Sequence, residues 1–181
     1  QLTFFAAATC ASLACAETIT GEVVGLVDGD TVTVLDADKV QHRIRLAGID
    51  APEKRQAFGE RSRQSLSALV FRKHVTVDFS KTDRYGRIVG KVVADGRDVS
   101  LAQVQRGLAW HYKSYERDQS PLDRIAYAQA EDAARNAHLG LWRDQQPTAP
   151  WDYRKCQRSK SSCDIAAATA SNARAASAQH R

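Results

Sequence analysis

The chain has 181 residues, 43% of them hydrophobic, and a formal net charge of +5. That suits one folded domain with appendages, and it excludes a chain too polar to build a core. Residues 1–147 hold 20 Lys and Arg against 19 Asp and Glu, whereas 148–181 hold 6 against 2, so the basicity sits in the tail and says little about the main domain.

At the start, Leu2-Thr3-Phe4-Phe5 and the Ala-rich run to Cys15 make an apolar segment too short to span a bilayer as a helix. It ends in Ala14-Cys15-Ala16, the small-x-small pattern of a signal-peptidase site, and Glu17 begins the polar chain. Residues 1–16 are therefore expected to be the remnant of a signal peptide. The protein is expected in the periplasm or the medium, as a monomer with no transmembrane segment in its mature form. Lipidation at Cys15 is the alternative, although Ser12 stands where an aliphatic residue is usual. Cys10 and Cys15 would be lost with the signal, which leaves Cys156 and Cys163 as a pair for a disulfide in an oxidising compartment. Such a bridge would close a small tail loop, worth at most about 2–3 kcal/mol.

Strand patterning follows. Ile19 to Val27 is broken by Asp28-Gly29-Asp30, a turn; Thr31 to Leu35 alternates with period two; Arg43 to Ile49 alternates again and delivers Asp50 at its end. A helix is expected from Glu60 to Phe71 with Leu66, Leu69 and Val70 as its apolar stripe. Two strands come next, His74 to Phe79 and Ile88 to Val93, around a turn from Lys81 to Gly86. Ser100 to Arg106 reads as a short helix stopped by Gly107. A last helix runs from Ser120-Pro121 to about Ala137, with Leu139, Leu141 and Trp142 as packing residues after it. Pro147 and Pro150 mark a linker, and residues 147–181 read as a low-complexity basic tail carrying the disulfide loop. Residues 17–146 then form an α+β, mainly β, domain: a five-stranded Greek-key barrel of the oligonucleotide-binding type with three helices.

Three stretches carry the chemistry: Asp28-Gly29-Asp30-Thr31, Arg45 with Asp50-Ala51-Pro52-Glu53, and Asp83-Arg84-Tyr85-Gly86-Arg87. Asp30 and Asp50 close adjacent strands, so one barrel rim can hold both. Carboxylates without His or Cys favour a hard cation, Ca²⁺ or Mg²⁺, over zinc. Asp28-Gly29-Asp30 is also ordinary hairpin chemistry. Glu53 is placed to accept a proton from water or to orient it. Arginine suits a phosphate because its planar fork donates two parallel hydrogen bonds and keeps its charge. One objection stands: Arg45 precedes Asp50 by five residues, so on a continuous strand the two face opposite ways. A bulge or bend is required between them.

The ordered set of these motifs, with Gly107-Leu108-Ala109, resembles the staphylococcal nuclease (thermonuclease) family over residues 18–143. The resemblance implies a calcium-dependent nuclease. Asp30, Asp50 and the backbone carbonyl of Ala51 would ligate Ca²⁺. Arg45 and Arg87 would bind the scissile phosphate, and Glu53 would position or deprotonate the water. It also implies substrate contacts from Arg84, which replaces the family's lysine, and from Tyr85. The family's Tyr-x-Tyr pair falls at Lys113 and Tyr115, with Tyr112 and Trp110 nearby to stack a base. The expected substrate is DNA, and RNA as well, with water attacking phosphorus and the 5′-oxygen leaving. A binding module without catalysis, or a calcium-binding structural module, would explain fewer of these residues.

Overall fold

The computed structural model describes residues 17–159. The expectations placed on residues 1–16 and on Cys163 fall outside that range. Within it run β1 (Glu17–Leu26), β2 (Thr31–Leu35), β3 (Gln41–Leu46), β4 (Ile49–Asp50), α1 (Gly59–Val70), β5 (His74–Thr82), β6 (Ile88–Ala94) and β7 (Arg97–Asp98). They are followed by α2 (Val99–Gln105), β8 (Trp110–His111), α3 (Pro121–Asn136) and α4 (Pro150–Ser159). A 3₁₀ segment kinked at Tyr115 lies at Lys113–Asp118, and a short 3₁₀ helix lies at Gly140–Arg143.

The five long strands pair in the order β3-β2-β1-β5-β6, and a parallel pairing of β3 with β6 closes them into a barrel. The barrel rests on period-two alternation. Val23, Val32, Val34, Ile44, Val75, Val77 and Val92 are buried inside it, and α1 adds Leu66 and Val70 to the same core. A register shift between Val23 and Gly25 bends β1, so that one strand can pair with both β2 and β5. Asp98 accepts from the Leu101 N–H at the start of α2, and Ser120 accepts from the Asp123 N–H at the start of α3. Pro121 occupies the first turn of α3, as the sequence pattern anticipated.

Two expectations change. The stretch from Arg43 to Asp50 is not one strand: β3 stops at Leu46, and Asp50 lies on β4, which pairs with β8 in a separate two-stranded sheet. The region after Pro147 is not simply a linker either, because α4 starts at Pro150. Proline lacks an N–H that the first turn of a helix does not use, so it opens a helix as readily as it marks a linker. Leu141 and Trp142 are buried as expected, whereas Leu139 is 39% exposed.

Candidate active site

The turn joining β1 to β2 is built to fix Asp30. Asp28 Oδ1 accepts from the Asp30 N–H at 3.1 Å, which tightens the turn. A Cβ on Gly29 would lie 1.9 Å from Ser62 Oγ and 2.8 Å from Ala51 Cβ, so only glycine lets α1 and the Ala51 segment approach this closely. The Gly29 carbonyl accepts from Gln103 Nε2 at 3.0 Å, and the same amide donates to the Ser62 carbonyl at 3.0 Å. Gln103 and Ser62 are fully buried, so this hub ties α1, α2 and the Asp30 turn together where solvent cannot compete.

The facing objection to Arg45 is resolved by a bend. Gly48 adopts φ +75°, a left-handed conformation that glycine takes at little cost, and it separates β3 from β4. Arg45 Nη1 then lies 3.0 Å from Asp30 Oδ2, and Nη2 lies 2.8 Å from Asp50 Oδ1. Asp30 Oδ2 also accepts from the Ala51 N–H at 2.7 Å, and Thr31 Oγ1 donates to Asp30 Oδ1 at 3.1 Å. Both carboxylates are buried, Asp30 4% and Asp50 1% exposed.

That burial pushes the Asp30 pKa up to about 8, against the opposing pull of Arg45, with Asp28 and Asp50 adding to the rise. The ionised form of Asp30 is therefore poorly solvated and crowded by like charge, and a bound cation would favour it. Among the described residues no three His, Cys, Asp or Glu side chains surround one point. A hard cation held here would take Asp30 and Asp50, with backbone carbonyl and water oxygens completing its shell. The donor set fits Ca²⁺ and does not fit zinc.

Arg87, just before β6, reaches the same rim from beside β3, with which β6 pairs. Its Nη1 donates to Thr31 Oγ1 at 3.4 Å, next to Asp30. Asp83 aims it: one carboxylate oxygen accepts from the Tyr85 and Arg87 backbone N–H groups at 2.9 and 3.0 Å, and the other accepts from Arg87 Nε at 2.8 Å. Burial raises the Asp83 pKa, but these hydrogen bonds outweigh it and hold the carboxyl below its ordinary value. Asp83 is thus more than a turn-former.

Arg84 and Tyr85 pair at the tip of the same turn, with the Arg84 guanidinium 4.9 Å from the ring centroid and Arg87 5.6 Å from it. Tyr112 and Tyr115 form a second aromatic pair, 5.2 Å apart. One face of Tyr112 is taken by Trp151, stacked at 5.3 Å and 19°. Tyr85 and Tyr115 are the exposed rings, at 68% and 55%.

The sequence reading missed Arg154. From α4 its Nη2 lies 2.7 Å from Asp50 Oδ2, and its Nη1 lies 2.7 Å from Glu53 Oε1. Burial lowers its pKa, but hydrogen bonds to Asp50 and Glu53 dominate and raise it further above the usual arginine value. Trp151 one turn earlier on the same helix was the available signal, since residues three apart share a face.

A family profile described as staphylococcal nuclease homologue matches residues 43–144. Among curated relatives, protein ParB of Escherichia coli is 46% identical over 144 residues, covering 75% of this chain and 78% of that protein. Micrococcal nuclease of Shigella flexneri is 42% identical over 147 residues, covering 76% and 82%. An endonuclease of Escherichia coli is 44% identical over 141 residues, covering 77% and 87%. The chain belongs to the staphylococcal nuclease family. It is a nuclease of the micrococcal type, a phosphodiesterase. Arg45, Asp50, Glu53 and Arg87 fall inside the family profile, whereas Asp30 and α4 lie outside the matched span.

Proposed function

We propose that this nuclease hydrolyses the phosphodiester bonds of DNA, and of RNA as well, with Ca²⁺ as its cofactor and little sequence preference. One observation carries the proposal: Asp30 from the β1–β2 turn and Asp50 from β4, both buried, meet on the single guanidinium of Arg45, with Glu53 and Arg87 at the same rim. Asp30, Asp50 and the Ala51 carbonyl would hold the cation, which would stabilise charge on a phosphate oxygen and supply a place for water.

The protein's own groups do the rest. Arg45 and Arg87 donate hydrogen bonds to the scissile phosphate, and these strengthen as negative charge builds on its equatorial oxygens. Glu53 accepts a proton from the attacking water as the new oxygen–phosphorus bond forms and the bond to the 5′-oxygen breaks. The arginines read phosphate and not base, which supports low sequence specificity. Arg84, Tyr85 and Tyr115 are exposed and suited to grip the flanking nucleotide, by charge and by stacking.

We also propose that the protein is exported. The apolar segment ending in Ala14-Cys15-Ala16 supports this, as does Cys156, which is disulfide-bonded. Among the described residues no helix is long and apolar enough to cross a membrane.

Incubation of the purified protein with DNA and with RNA, in Ca²⁺ and then in chelator, tests the activity. Cleavage that depends on Ca²⁺ is expected. Retardation of the nucleic acid in a gel without cleavage when Ca²⁺ is restored would overturn the proposal in favour of a binding module.

A further inference from the structure

Beyond the reaction centre, α4 and the segment after β4 enclose a groove of about 760 Å³. Glu53, Lys54, Arg55, Arg154 and Arg158 line it. We propose that this groove is a second phosphate-binding subsite, which takes the backbone of the nucleic-acid strand next to the bond being cut. The proposal rests on the nuclease reading above and adds α4 to the substrate-binding surface.

The docking of α4 is specific. Trp151 stacks on Tyr112 and meets Trp110 edge-on at 5.5 Å. Gln56 Nε2 donates to the Thr148 carbonyl at 2.6 Å, which ties the segment after β4 to the residues leading into the helix. Ala149 and Pro150 are buried at that junction. With the helix fixed in this way, Trp151, Arg154 and Arg158 follow one another at spacings of three and four and so share one helical face. Arg154 is the innermost cation, bonded to both Asp50 and Glu53. Lys54, Arg55 and Arg158 are exposed, and among the described residues none has a carboxylate within ion-pair distance.

Lys54, Arg55 and Arg158, with no carboxylate in ion-pair distance among the described residues, open directly onto a phosphodiesterase centre and match the repeating charge of a nucleic-acid backbone. Arg154 carries five N–H donors, so it can keep Glu53 oriented and turn others toward a phosphate once a cation claims Asp50. The groove lies along the substrate path because its inner residue already touches the reaction centre.

The test is steady-state cleavage of a long single-stranded oligonucleotide and of a dinucleotide in saturating Ca²⁺, with Arg154→Ala and Arg158→Ala. KM for the oligonucleotide should rise about tenfold or more for Arg154→Ala. It should rise severalfold for the more exposed Arg158→Ala, and each loss should be smaller on the dinucleotide. The slope of log kcat/KM against log salt should shrink by about one for each variant. Unchanged KM and salt slope in both variants would overturn the proposal. So would faster cleavage by Arg154→Ala at limiting Ca²⁺ with KM unaltered, because that would make α4 a cap over the cation site. If Arg154→Ala fails to fold, as read by circular dichroism, Arg158→Ala decides alone. If the wild-type protein cleaves nothing, the hydrolytic reading fails separately, and oligonucleotide binding by the same variants still decides the subsite.

Discussion

Replacing Arg45 with alanine removes the side chain that, among the described residues, bridges both buried carboxylates. Its two nitrogens lie 3.0 and 2.8 Å from Asp30 and Asp50, and it also donates to the Leu46 carbonyl at 3.1 Å. Taking one partner from a buried ion pair costs about 3–5 kcal/mol, because the charge left behind has lost both water and its counter-ion. Asp50 keeps Arg154, and Asp30 keeps the Ala51 N–H and the Thr31 hydroxyl, so the cost should sit near about 3 kcal/mol, the lower end of that range. For a chain of this size that corresponds to a fall in Tm of about 6–12 °C. Thermal unfolding followed by circular dichroism in chelator measures it.

The loss should depend on pH. The folded-state pKa of Asp30 lies at about 8, above its unfolded value, so its contribution to stability is fullest at acid pH and is lost as pH rises through about 8. Removing Arg45 takes away the charge that favours ionisation, so the variant should be least impaired when Asp30 is protonated. A hundredfold excess of Ca²⁺ over Kd should stabilise wild type and variant alike, by about 2.7 kcal/mol each. A Tm in chelator above about pH 8, where Asp30 is ionised, within about 2 °C of wild type would refute the reasoning, since it would mean that the carboxylates do not need this guanidinium.

Two further outcomes follow from the same geometry. Gly29→Ala should destabilise the protein by about 1–3 kcal/mol and weaken Ca²⁺ binding in titration calorimetry, because its Cβ must displace Ser62 from 1.9 Å; unchanged affinity would show that the turn does not set Asp30. Asp83→Asn should lower kcat by about tenfold or more with little change in Tm, because Arg87 loses a charged anchor at 2.8 Å; a kcat near wild type would show that Arg87 needs no such support.

Much of this was legible along the chain. Period-two alternation located the strands, and the Asp30, Asp50 and Arg87 motifs fell at their ends, where the barrel brings them to one rim. Asp28 and Asp83 were readable as turn residues because short carboxylates accept from nearby backbone N–H groups. Three features were not legible. The meeting of Arg45 with Asp50 depends on the Gly48 bend, and a lone glycine in an alternating run does not announce its backbone angle. Gln103 reads as an ordinary helix residue until the long-range packing of α1 against α2 buries it. Arg154 was hidden because two prolines resemble a linker, and its partners lie about a hundred residues away, beyond the reach of any local pattern.

The central claim is that these side chains form one cation-dependent hydrolytic centre, and the turnover number of Arg87→Ala and Glu53→Gln on DNA in saturating Ca²⁺ tests it most directly. Loss of a transition-state donor or of the general base should each lower kcat by about a hundredfold or more, with the melting temperature close to wild type. Near-full activity in either variant would contradict the role assigned to that residue, and near-full activity in both would mean that hydrolysis happens elsewhere.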